Sequence, residues 1–185
     1  MSIDLVDLMI EKRFLGQEFL TWLWWKSEER GGSVALPSDG DITIAFEKHM
    51  LLESGEGESS EKLVCTGLQT ELQEARTGLQ MGKKLEQARI VLGIGSYEYS
   101  FTLAGALMEY RNVRLPKTEA SEKDGDENSE AVEGMILERI FLFEELMRIV
   151  NTLFGLFLKV RLEVGWRDEL QKIRAWVAKM ALIAQ

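Results

Sequence analysis

The sequence predicts an α+β fold, with an antiparallel sheet of about five or six strands flanked by N-terminal helices and a long C-terminal helical pair. Three observations point there. Apolar residues recur at helical spacing near both ends of the chain. Between them, short alternating runs are separated by glycine-rich breakers. Strands and helices do not alternate one for one, as βαβ units would require.

The elements follow in order. Ser2 or Asp4 can cap a first short helix, with Leu5, Val6, Leu8 and Met9 on its apolar side. Phe14 to Ser27 continues as helix, with Leu15, Phe19, Trp22 and Leu23 on one face. Gly31 to Asp41 reads as a loop, because Gly31-Gly32, Pro37 and Asp39-Gly40 interrupt any period. Asp41 to Phe46 alternates as a strand. Lys48-His49 reads as a turn, and Met50 to Glu53 as the returning strand. Lys62 to Thr66 is a short strand, and Leu68 to Gln80 a helix stopped by Gly82. Lys84 to Ile94 and Tyr97 to Leu103 form a hairpin around Gly95-Ser96, and Leu107 to Leu115 another strand ended by Pro116. Met135 to Val160 carries the strongest helical pattern: Ile136, Ile140, Phe143, Met147, Val150, Phe154 and Phe157 recur at four and three. Trp166 to Ile183 is a final helix.

The chain therefore divides into a helical start (1–30), a sheet with one inserted helix (41–116), an acidic flexible loop (117–132) and a helical hairpin (133–185). Its 185 residues suit one domain with a core large enough to need no cross-links. One cysteine, Cys65, allows no internal disulfide and fits a cytoplasmic location. The first residues carry acids early and lack the basic start of a signal peptide. The longest uncharged apolar run, Ile149 to Leu158, is about half of the roughly 20 residues a spanning helix needs, so no membrane partner is expected.

The net charge of −9 is uneven. Glu53 to Glu61 contributes −4 and Lys117 to Glu133 contributes −5, so the remainder is balanced. This pattern argues against a generally basic coat and leaves room for a local basic surface.

Chemistry-bearing patterns are sparse. Nucleophilic catalysis needs a base beside the nucleophile, and the candidates are one histidine, His49, and Cys65. The plainer reading of Cys65 is a small core residue. One His and one Cys cannot make a zinc site of the usual kind, and Gly93-Ile94-Gly95 lacks the lysine and helix of a phosphate loop. No enzyme activity, metal or cofactor is expected.

Trp22, Trp24 and Trp25 lie within one turn of a helix and cannot all face one core. Either a neighbouring helix covers the outliers, or Trp24 and Trp25 anchor a protein partner. The apolar face of the long helix is wider than one neighbour needs, which admits a homodimer seam including Phe143 and Phe154. Basic residues cluster at Lys83, Lys84 and Arg89, and again at Arg111, Arg114 and Lys117. Arg111 and Arg114 differ by three, so a regular strand would point them to opposite faces.

The order of segments from Phe19 to about Leu158 resembles the C-terminal half of the bacterial recombination-associated RdgC family. The likeness runs through the Leu20-Thr21-Trp22 helix, the Leu63–Cys65 strand, the helix ending at Gly82-Lys83, the strands Ala88–Leu92, Tyr99–Leu103 and Met108–Leu115, and the helix Met135–Leu158. It implies a ring-forming dimer that encircles duplex DNA with little sequence preference and restrains RecA-driven strand exchange. It also implies DNA contacts at the two ends of the central helix. Gln69 stands at the first end, where the family's lysine is absent, and Lys83-Lys84 at the second. The family's N-terminal half is missing here and a terminal helix is added. The expected function is sequence-independent DNA binding that modulates recombination, with Gln69, Lys83, Lys84 and Arg89 on phosphates. The alternative is a protein-interaction module, of phage or mobile-element type, that does not bind DNA.

Overall fold

A computed structural model describes residues 13–29, 31–36, 40–54, 61–66, 71–117 and 129–179. The first short helix, Gln69, most of the two acidic stretches and residues 180–185 lie outside the described residues. The fold is the expected α+β arrangement. Its elements are α1 (Arg13–Glu29), β1 (Ser33–Leu36), β2 (Gly40–Ser54), β3 (Glu61–Thr66), α2 (Glu71–Gln80), β4 (Lys84–Ile94), β5 (Tyr97–Ala104), a 3-10 turn (Gly105–Leu107), β6 (Glu109–Arg114), α3 (Ser129–Leu162) and α4 (Trp166–Lys179).

The six described strands form one antiparallel sheet in the order β1-β2-β4-β5-β6, with β3 also paired to β2. β2 is long enough to hold β1 along its first half, where Thr43 faces Ser33, and β3 along its second half, where Met50 faces Cys65. Two expectations fail here. Residues 33–36, read as loop, form β1, because an edge strand of four residues gains its order from a distant partner rather than from its own pattern. Lys48-His49, read as a turn, lies inside continuous β2. A register shift against β4 between Phe46 and Met50 absorbs the extra residues as a bulge.

The local signals that worked are chemical. Gly95, with φ 57, opens the two-residue β4–β5 turn, where a side chain would be strained. Gly82, with φ 84, ends α2: Lys83 N–H donates to the Gly78 carbonyl at 3.0 Å, closing a left-handed cap that turns the chain into β4.

All described helices pack on one face of the sheet. Ile42, Ile44, Met50, Leu52, Leu85, Ile90, Leu92, Tyr99, Phe101 and Leu103 point into that layer and are buried. α1 lies centrally on it. Phe19 meets Phe154 and Phe157 of α3 at centroid distances of 5.2 and 5.7 Å, and Trp24 meets Trp176 of α4 edge-on at 5.1 Å. Aromatic side chains of this size bury some 150–250 Å² each, so this cluster is a major part of the hydrophobic stabilisation.

A polar knot fastens the same layer. Glu28 accepts hydrogen bonds from Trp24 Nε1 at 2.8 Å, from Trp176 Nε1 at 2.9 Å and from the Arg76 guanidinium. Arg76 lies buried beside the Trp24 and Trp176 rings, its Nε without an acceptor among the described residues. One carboxylate thus ties α1, α2 and α4 together.

Gly155 offers a check on the outer surface of α3. It is exposed, and a Cβ there would meet nothing within 4 Å. Gly155→Ala is expected to raise stability by about 0.5–1 kcal/mol through helix propensity and a less flexible unfolded chain. A urea midpoint unchanged or lowered by the substitution would contradict this placement.

Candidate nucleic-acid interface

The sheet has a second face on which no described helix packs. Strand alternation places Thr43, Ala45, His49, Leu51 and Glu53 of β2 there, and the cross-strand partners follow. Glu53 faces both Lys62 of β3 and Lys84 of β4, and Leu51 faces Val64 and Gln87. Arg89 of β4 faces Thr102 of β5, which in turn faces Arg111 of β6; Ser100 faces Arg114.

The last two pairs overturn an expectation. β5 advances from Ser100 to Thr102 while β6 runs from Arg114 back to Arg111, so β6 holds one extra residue. Asn112, in the left-handed region at φ 51, marks this bulge, and asparagine tolerates that conformation better than most residues. Arg111 and Arg114 therefore share the open face instead of straddling the sheet. Val113 turns to the core side. Arg111 stands two strands from Arg89, roughly 10 Å away at ordinary strand spacing.

The cations of this face differ in their ties. Arg89 Nε donates to Glu47 Oε2 at 2.7 Å and its Nη2 to Ser100 Oγ at 2.9 Å, bridging three strands. Arg111 Nη2 donates to Glu109 Oε2 at 2.6 Å and its Nη1 to Gln87 Oε1 at 3.3 Å. That bond holds the Glu109 carboxyl below its ordinary range and raises Arg111. Lys84 and Arg114 are exposed and make no ion pair among the described residues. Arg89, Arg114 and Lys117 line one shallow depression, with Glu47, Glu98 and Ser100 between them.

The four residues expected to touch phosphates do not form one cluster. Gln69 lies outside the described residues. Lys83 is held by its own chain: its Nζ donates to Ser54 Oγ at 3.2 Å and pairs with Glu61 Oε2 at 2.9 Å, leaving its side chain 11% exposed. The hydrogen bond from Lys83 lowers the Glu61 pKa. Lys83 acts first as a tie between the α2–β4 turn and the β2–β3 hairpin. Lys84 and Arg89 do lie on the open face.

The expected protein-anchor residues are corrected more sharply. Trp24 and Trp25 are 1% and 4% exposed, and Trp22 is buried with them, so the Trp22–Trp25 helix offers no anchor to a partner. Trp24 is enclosed by Phe46, Trp176 and Arg76. Phe143 rests on Tyr110 at 6.0 Å, and Phe154 on Phe19 and Phe157. Both therefore lie against their own core. Burial also pushes the Tyr110 phenol up to about 12, so this contact is with a neutral ring.

Cys65 and His49 cannot act together. Cys65 is paired with Met50 on the core side, and His49 is the neighbour of Met50 on the open side. Among the described residues, no group of three or more His, Cys, Asp or Glu side chains could hold a metal ion. No described helix is long and apolar enough to cross a membrane.

No protein-family model and no curated protein matches the chain.

Proposed function

We propose that this chain is a non-enzymatic protein that binds the phosphate backbone of duplex DNA through its helix-free sheet face, without reading sequence. The observation that carries the proposal is the bulge at Asn112, which brings Arg114 to the face that already holds Arg111, Lys84 and Arg89. With Lys62, five cations stand there among the five carboxylates of Asp41, Glu47, Glu53, Glu98 and Glu109, so this face is balanced on a protein whose net charge is −9. The open face has no Phe, Tyr or Trp among the residues assigned to it, so stacking of single-stranded bases has no platform. Arginine and lysine contacts to phosphate position a duplex but carry no base information. The resemblance to the RdgC family supports the same ligand, and a role in modulating recombination is part of this proposal.

Lys84 and Arg114 are the contacts to test, since neither is tied within the described residues. The variant Lys84→Glu/Arg114→Glu is expected to weaken binding roughly 10- to 100-fold at low salt. The slope of log affinity against log salt should fall by about one per contact removed, uniformly across DNA sequences. Fluorescence anisotropy with labelled duplexes reads both quantities. Unchanged affinity in this variant would remove the open face from the proposal. Lys83 is a poor probe, because its loss would also release Ser54 and Glu61.

A protein-interaction role without DNA keeps one observation in its favour, the uncovered apolar side of α3.

A further inference from the structure

His49 is the chain's one histidine, and it is exposed on the open face while its neighbour Met50 is buried in the core. The bulge in β2 fixes where it stands. Phe46 pairs with Ile90 and Met50 with Ala88, so the segment from Glu47 to His49 lies opposite a single β4 residue, Arg89. Arg89 faces Thr102 and Thr102 faces Arg111. A row across the open face therefore reads His49, Arg89, Thr102, Arg111, from β2 to β6.

The charges around His49 cancel. On its own strand, Glu47 lies two residues before it and Glu53 four residues after it. On β4, Arg89 is bound to Glu47 at 2.7 Å, and Lys84 faces Glu53. On β3, Thr66 faces His49 directly, and Lys62 faces Glu53. Glu47 and Arg89 thus form a neutral pair beside the imidazole, which itself has no hydrogen bond or ion pair among the described residues. Nothing in this ring of neighbours already occupies its ring nitrogens.

A proton on the imidazole shifts that balance. Carboxylates ordinarily titrate near pH 4, and lysine and arginine above about pH 10. Histidine is the side chain that ordinarily changes charge between about pH 5 and 8. The bond from Arg111 moves the Glu109 carboxyl still further below this window. Gaining a proton, His49 takes a balanced face to one net positive charge. Imidazolium also offers two N–H donors, the groups that a phosphate oxygen accepts.

We infer that His49 is a proton-gated phosphate contact at the centre of the open face, so that DNA binding tightens as the pH falls from 8 to 6. The inference rests on the DNA reading of this face. Its sign follows from linkage: phosphate favours the protonated imidazole, so binding takes up a proton and affinity rises toward acid.

The test is anisotropy of a duplex with hydroxyl ends and a pH-insensitive label, at both pH values and across a salt series. Such DNA carries no phosphomonoester, whose own titration falls near pH 6. Wild type is expected to bind about 3- to 10-fold more tightly at pH 6 than at pH 8, with a salt slope steeper by about one contact. His49→Gln, at an exposed position and checked for folding by circular dichroism, should bind alike at both pH values, near the wild type at pH 8. His49→Lys should also ignore pH, but bind near the wild type at pH 6. Wild-type binding that ignores pH, or a pH dependence that persists in His49→Gln, would overturn the inference and leave the DNA reading standing. No binding at either pH would overturn both.

Discussion

Gly16→Ala is expected to destabilise the protein by at least about 3 kcal/mol, and the variant should be largely unfolded or insoluble. In an ordinary helix interior the same change stabilises by up to about 1 kcal/mol. The sign reverses here because α1 crosses the 3-10 turn with no space between backbones. A Cβ on Gly16 would overlap the carbonyl group of Gly105 and lie 3.1 Å from its Cα. The obstruction is backbone, which cannot rotate away as a side chain would. Gly105 is equally confined, since a Cβ there would fall 2.8 Å from the Gly16 carbonyl carbon and oxygen. The paired glycines let α1 sit close enough to the sheet to bury Phe19 and Leu20 completely. Urea unfolding of Gly16→Ala beside Gly155→Ala isolates packing from propensity. Equal effects of the two would contradict the close crossing.

Loss of the Glu28 carboxylate is the second large effect. Glu28→Ala is expected to cost about 1–3 kcal/mol: the Glu28 carboxylate is one-third exposed, but its removal leaves the buried Arg76 guanidinium without its counter-charge. The same substitution removes the acceptor of two indole N–H groups, so α4 loses its polar tie through Trp176. Adding Arg76→Met should recover a good part of the loss, since it removes the buried charge that Glu28→Ala leaves unpaired. Denaturant unfolding of the two single variants and the double variant completes the cycle. A loss below about 1 kcal/mol in Glu28→Ala would show that water reaches Arg76 freely.

Much of the fold was legible because the informative patterns are local. The β4–β5 hairpin follows from alternation around Gly95-Ser96, α2 from its Gly82 stop, and α3 and α4 from helical spacing broken at Gly165. What was not legible depends on distant partners. β1 exists through pairing with β2. The polar pair Lys48-His49 imitates a turn, and only the register against β4 shows a bulge. The three tryptophans could not be assigned to a core without knowing that β2, α2, α3 and α4 converge on α1.

The candidate site shows the same division. Sequence singled out Lys84 and Arg89, which lie on the open face, but it also chose Lys83, whose ammonium is spent on Ser54 and Glu61. It separated Arg111 from Arg114 by the two-residue period of a strand, and one residue in the left-handed region at Asn112 undid that inference. Along α3, the stripe through Ile136, Ile140, Phe143 and Met147, widened by Leu142, Leu146 and Ile149, read as one broad apolar face. The core takes Leu142, Leu146 and Ile149 and leaves Ile136, Leu137, Ile140 and Phe141 outside. Apolar residues on two sides of one helix were the available signal.

The most direct test of the central claim is anisotropy of labelled duplex DNA of two unrelated sequences, titrated with the wild type and with Lys84→Glu/Arg114→Glu across a salt series. The account predicts equal affinity for both sequences, a steep fall with salt, and a weaker, shallower response in the variant. No binding by the wild type at low salt, or binding that the variant leaves intact, would contradict it.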